Sequence, residues 1–175
     1  HALSSCDRRI EEMIGKFGLA TVEEGIDAVL DYAEQRARVA IRKIPDGTYR
    51  FTEYMEDDLR SEVPVRIQVA LTIEGDSIHL DFTGTDPQVG SALNIASPGV
   101  AHPFLCQAIN AYLVTEDPGI PKASSILRPV RVTAPPGCLV NALFPSPIGV
   151  RYGTVLRVFD AVLGALGQAP PGRVP

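Results

Sequence analysis

The chain has 175 residues, 45% of them hydrophobic and 21% charged, with a formal net charge of −5. This globular composition excludes disorder as the default state, and an acidic balance without a basic block excludes the counterion-release drive of a nucleic-acid binder. No apolar run approaches the roughly 18 residues of a membrane span and no signal peptide precedes the first helical pattern, so neither nucleic acid nor membrane is an expected partner.

In chain order, Cys6, Ile10, Met13, Ile14 and Phe17 follow a 3.6-residue period. Ser4 or Ser5 is placed to cap that helix and Gly18 to stop it. A second helix is expected from a Thr21/Glu24 capping box. Its stripe runs through Val22, Ile26, Val29, Leu30, Ala33, Ala37, Ala40, Ile41 and Ile44. Its acids (Glu23, Glu24, Asp27, Asp31) come early and its bases (Arg36, Arg38, Arg42, Lys43) late, which complements the helix dipole. Pro45-Asp46-Gly47 ends it with a turn. Residues 1–45 therefore read as an antiparallel helical hairpin whose stripe packs on an α+β body at 46–175.

A strand is expected at 48–54, followed by a polar loop. Val65, Ile67, Val69, Leu71 and Ile73 then alternate with Arg66, Gln68, Ala70 and Thr72 up to a two-residue turn at Gly75-Asp76. Folding there sets Ile73, Leu71 and Val69 opposite Ile78, Leu80 and Phe82, and sets Thr72 and Ala70 opposite His79 and Asp81. Glycines and prolines, 15 of each, concentrate after residue 84 and predict many turns. A third helix is expected from Pro103 to about 115. It is apolar on nearly all faces and so should be buried. Strands follow at 129–133 and 138–143. A last helix carries Tyr152, Val155, Leu156, Phe159, Val162, Leu163 and Leu166 as its stripe. This order favours an α+β fold with a helical hairpin, an antiparallel hairpin or sheet and two further buried helices.

No phosphate loop, Gly-x-Gly-x-x-Gly, Gly-x-Ser-x-Gly or His-Glu-x-x-His motif occurs. Cys6, Cys106 and Cys138 are unpaired in spacing and read as buried thiols in a reduced, cytoplasmic compartment. The acids Glu53, Glu56, Asp57, Asp58 and Glu62 fit no metal loop and read as solvated. His79 reads as a surface or hydrogen-bonded side chain. His102, at a helix start, is either a reactive group or a satisfied structural one. Asp81 and Thr83 flank a strand end beside Gly84. They either orient a polar ligand or merely close the strand with an Asx turn, and Asn94 is placed to bond the same turn. Arg128, Arg151 and Arg157 each suit an anion or an ion pair, Asp160 being one candidate partner. The candidate lining residues are thus Asp81, Thr83, Asn94, His102, Arg128 and Arg151. No metal ligand is assigned, and the catalytic groups stay unassigned.

The stretch from Asp81 to Gly90, with Asn94 after it, resembles a signature segment of the hydantoinase B/oxoprolinase family. Leu127-Arg128-Pro129-Val130, Ala134-Pro135-Pro136-Gly137 and Arg157 to Leu166 resemble its following blocks in order. Asp31-Tyr32-Ala33-Glu34 and Pro45-Asp46-Gly47-Thr48-Tyr49 fit its opening helices. The resemblance implies a segment of a B-type subunit that works with a hydantoinase A-type partner, or partner half, which binds and cleaves ATP. It implies activation of an amide or enol oxygen, followed by ring hydrolysis of a cyclic amide or by carboxylation of a ketone, as in acetone and acetophenone carboxylases. Members of the family are longer, and their His/Asp-rich metal motif has no match here. The chain, which opens on His1, is therefore expected to be an internal piece without a metal or ATP site of its own, those lying elsewhere in the parent. Where many members carry Asn and Gly before the Arg-Pro block, this sequence has Ala123 and Ser125, a departure that gives the carboxylase alternative weight. A non-catalytic interaction module, docking through the long stripe of the second helix, is the alternative from a different class.

Overall fold

The computed structural model describes residues 2–169, so the ends of both expected segments lie outside the described residues. A single residue, Gly18, separates helix α1 (Ala2–Phe17) from helix α2 (Leu19–Ile41). Gly18 has φ 83°, a conformation that a side chain would strain, and its N–H donates to Ile14 O at 2.8 Å. The chain re-enters helix immediately. Thr21 consequently lies inside α2, the expected capping box does not form, and the N-cap is Gly18 with no side-chain bond. Ser4 and Ser5 likewise fall inside α1.

The apolar stripe of α2 divides in two. Ala33, Ala37, Ala40 and Ile41, with Ile44 beyond the helix, are buried, whereas Ile26 is 53% and Val29 51% exposed. All of α1 from Leu3 is exposed except half-buried Ile14. Cys6 is therefore exposed, against the expectation of three buried thiols, while Cys106 and Cys138 are buried. Ion pairs fasten the second half of α2. Arg36 grips Asp117 with two bonds of 2.5 Å, Arg38 reaches Glu34 and Asp76, Arg42 reaches Asp76, and Arg128 reaches Asp31 and Glu34.

Strands β1 (Gly47–Met55), β2 (Val65–Glu74), β3 (Ser77–Asp81) and β4 (Val130–Thr133) form one sheet in the order β1-β2-β3-β4. The β2–β3 register is Ile73 to Ile78, Leu71 to Leu80, Thr72 to His79 and Ala70 to Asp81, as the alternation dictates. Phe82 leaves the ladder and donates its N–H to Thr133 O. β4 joins β3 in parallel, which makes the sheet mixed rather than antiparallel throughout. The odd-numbered residues of β2, with Ile78, Leu80, Val130 and Val132, face the core. The opposite face is polar, and there His79 Nε2 pairs with Thr133 Oγ1 at 2.8 Å.

The expected strand at 138–143 does not form. Asn141 N–H folds back to Cys138 O, Gly137 N–H bonds Asn141 O, and Asn141 Nδ2 donates to Ala134 O, so the segment coils into turns and keeps only a bridge between Pro87 and Cys138. Helix α3 (Pro103–Glu116) buries Leu105, Cys106, Ala108, Ile109, Tyr112 and Leu113 but leaves Gln107, Asn110 and Ala111 exposed. A short 3-10 turn occupies Ser124–Leu127. Helix α4 (Tyr152–Leu166) packs on β1 and β2 through Val155, Val158, Ala161, Val162, Ala165 and Leu166. Its expected stripe is thus rotated, since Tyr152 and Leu156 are exposed. Small residues set that rotation: a Cβ on Gly164 would lie 2.7 Å from the Phe51 ring, so only glycine lets the helix rest on the aromatic face.

Candidate functional site

The six residues singled out in the sequence go to four places. Asp81 ends β3 and its Oδ1 accepts the Thr83 N–H at 2.9 Å, a turn that closes the strand. Asn94 does not bond that turn. It is fully buried, accepts from Val89 N–H, and donates to the carbonyls of Val89, Ser91 and Pro147. Its amide takes the place of regular structure in the 84–100 loop, and it reaches no surface. Arg128 is held by Asp31 and Glu34, and the Glu34 carboxyl lies below the usual carboxylate range because Arg38, then Arg128, hydrogen-bond it. Arg157 pairs with Asp160, as one of the two readings has it.

His102 and Arg151, far apart in sequence, come together. Each is the N-cap of a helix, His102 for α3 and Arg151 for α4. His102 Nδ1 accepts the Phe104 N–H at 3.2 Å. Burial, then the positive charge of Arg151, holds its pKa below the ordinary histidine value, so the ring is neutral near pH 7. A neutral ring that accepts at Nδ1 carries its proton on Nε2. The Arg151 guanidinium lies 5.4 Å from the Phe104 ring and 5.7 Å from the Tyr152 ring, and one Nη donates to Ile148 O. These two residues border a cavity of about 420 Å³ with Ile95, Ala96, Pro103, Phe104 and Ile148.

Phe104 and Pro103 are shared with a larger groove of about 810 Å³ along the exposed face of α3. Gln107, Asn110 and Thr115 line it from the helix, Lys122, Ala123 and Ser124 from the facing segment, and Tyr152 closes one end. Of the two departures near the Arg-Pro block, Ala123 faces this groove. Ser125 is 2% exposed, with its hydroxyl buried and unbonded among the described residues. Cys106 also borders the groove, and burial pushes its thiol up to about 11, which makes it a poor nucleophile. Sequence reasoning passed over Gln107 and Asn110. The available signal was two amides at i and i+3 in an otherwise apolar helix, which mark a wet face.

The loop and the acidic stretch singled out in the sequence both spend hydrogen bonds within the chain. In the Gly84–Gly90 loop the Thr85, Asp86, Gln88 and Val89 N–H groups are bonded to Phe82 O, Arg66 O, Gly137 O and Asn94 Oδ1, so no cradle of free amides faces outward. Among the described residues no group of three or more His, Cys, Asp or Glu side chains converges on one point. Two acids of the β1–β2 loop bond its own backbone: Asp57 accepts from Leu59 N–H, and Asp58 accepts from the Ser61 and Arg60 N–H groups, which lower its pKa. No helix among the described residues is long and apolar enough to cross a membrane.

The sequence matches the hydantoinase B/oxoprolinase family over residues 1–175. The chain belongs to that family. It is 32% identical over 174 residues to the protein named as the B component of a D-/L-hydantoinase in Pseudomonas sp. (strain NS671), covering 95% of this chain and 29% of the relative. The crystal structure of the ATP-dependent caprolactamase from Pseudomonas jessenii superposes with a TM-score of 0.79 at 25% identity, over 97% of this chain and 29% of that one. An acetone carboxylase in its nucleotide-free form superposes with a TM-score of 0.76 at 16% identity, over 94% of this chain and 23% of that one, a likeness of fold alone. The chain thus spans less than a third of each of these proteins.

Proposed function

We propose that this family segment serves in the B-type subunit of an ATP-dependent cyclic-amide hydrolase, where the α3 groove forms one wall of the substrate site. The observation that carries this reading is the match over 95% and 97% of the chain to relatives named as a hydantoinase and a caprolactamase, the latter superposing at higher identity than the carboxylase. ATP and a divalent metal would bind elsewhere in the assembly, on a hydantoinase A-type partner or on other parts of the subunit. The groove itself, walled by amides, hydroxyls and Lys122 over an apolar floor, suits a small polar ring. The enzyme would act in the cytoplasm, without nucleic acid or membrane.

The test is ATP turnover by the longest natural chain that carries this segment, assayed together with its partner subunit. Hydantoins, caprolactam, 5-oxoproline, and acetone with bicarbonate are offered in turn. Stimulation by one or more cyclic amides, with ring-opened product, is expected. Stimulation only by the ketone with bicarbonate, or by none of them, would remove the hydrolase reading.

A further inference from the structure

The cavity between His102 and Arg151 has a chemistry that the groove beside it lacks. The N-cap residues of two helices border it, His102 of α3 and Arg151 of α4. Arg151 makes no ion pair among the described residues, in contrast to Arg36, Arg38, Arg42, Arg66, Arg128 and Arg157. It is nevertheless held in place by two aromatic rings and the Ile148 carbonyl, which leaves the rest of its donor fork unbonded. His102 offers Nε2–H. The first backbone amides of α3 are already taken, Phe104 N–H by His102 Nδ1 and Leu105 and Cys106 N–H by His102 O. What remains is one guanidinium fork and one imidazole N–H above apolar walls of Ile95, Ala96, Pro103, Phe104 and Ile148. That set matches a single planar carboxylate on a compact apolar body, and it is too sparse in donors for a phosphate dianion.

We propose that Arg151 and His102 form a carboxylate-binding subsite of the α3 groove, so that the ligand in the groove bears a carboxylate. This rests on the hydrolase reading for its source. The carboxylate is either a substituent of the cyclic amide or the group that ring opening creates.

Three probes separate these sources in the subunit with its partner: 5-oxoproline, 2-pyrrolidinone (the same ring without the carboxylate) and 4-aminobutyrate (its opened form). Binding is measured by calorimetry and turnover by steady-state kinetics. Arg151→Met is expected to weaken 5-oxoproline at least tenfold while 2-pyrrolidinone changes less than twofold, with Arg151→Lys recovering part of the loss. His102→Asn keeps an N-cap oxygen for Phe104 but withdraws Nε2–H, and a smaller loss, about threefold, confined to the carboxylate probes is expected. Loss of 4-aminobutyrate affinity in Arg151→Met assigns the subsite to the opened product as well. Equal changes for all three probes, failure of both carboxylates to bind the wild type, or inorganic phosphate competing as well as a carboxylate would overturn the subsite. Turnover of 5-oxoproline, with binding of both carboxylate probes, that is indifferent to Arg151 sinks the subsite and leaves the hydrolase reading intact. Arg151-dependent carboxylate binding without any amide turnover does the reverse.

Discussion

In the stripe of α2 the large Ile26 and Val29 are exposed, whereas the small Ala33, Ala37 and Ala40, a turn or more further on, are buried with Ile41. They share one stripe on one helix. The alanines let the second half come close to the body, where the ion pairs of Arg36, Arg38 and Arg42 fix it. The large residues of the first half instead face Met13 and Phe17 of α1 across an apolar groove of about 420 Å³. Periodicity reports that a face is apolar. Three of the five buried positions of α2 are alanine, all in the half that lies nearest the body.

The sharpest way to break the contrast is to truncate matched residues in the two regions. Leu80→Ala, in the fully buried core, is expected to lower unfolding free energy by about 2–5 kcal/mol. Ile26→Ala is expected to stay within about 0.5 kcal/mol, as for an uncovered surface position. Urea midpoints read both, and an Ile26 loss as large as that of Leu80 would mean that the arm is covered in the assembled protein.

The contrast extends to the irregular part of the body. Asn94→Ala strands the Val89 N–H and three carbonyls, and a loss on the order of 2–3 kcal/mol is expected. A neutral result in the same denaturation series would show that the 84–100 loop does not depend on this side chain.

Gly164→Ala sets two effects against each other. Alanine favours a helix by about 1 kcal/mol, whereas overpacking against Phe51 opposes it by about 1–3 kcal/mol. Net destabilisation is expected, relieved when Phe51→Leu is added. Stabilisation by the single change would place α4 further from β1 than described.

The fastening of α2 should respond to acid. The Asp117, Asp76 and Glu34 carboxyls sit below their ordinary range because arginines hydrogen-bond them. The unfolded chain therefore binds protons at a pH where the folded one does not. The stability these groups contribute is complete above the ordinary range, about pH 4, and is lost as pH falls through the depressed values. Thermal midpoints should fall less steeply with acid in Asp117→Asn than in the wild type. Identical slopes would show that the pair does not titrate with folding. The smallest effect is a reactivity count: one thiol, Cys6, should label in the native protein, and Cys106 and Cys138 only after unfolding.

Much of the fold was legible where pattern and turn agree. The β2–β3 register followed from alternation about Gly75-Asp76, because a slip of one residue would bury Arg66 and Gln68. Positions decided by distant partners were not legible. Nothing local tells Cys138 that Pro87 will be its bridge partner, or tells α4 that Phe51 will need the space of Gly164. Of the site, His102 and Arg151 were visible as residue types out of place. Their meeting was not, since 48 residues separate them.

The parallel pairing of β3 with β4 has a consequence in time. β1, β2 and β3 are joined by short connections, but the 82–129 stretch must emerge and fold before β4 can reach its neighbour. At a synthesis rate of roughly 5–20 residues per second, the outer edge of β3 stands open for roughly 2–10 s on the ribosome. An open edge of that kind invites pairing with another nascent chain, and closure of so long a loop is slow compared with the hairpin beside it. His79 and Asp81, polar residues on this short edge strand, are what the chain carries there in the meantime. Expression yield should therefore depend on that strand more than its five residues of finished sheet suggest.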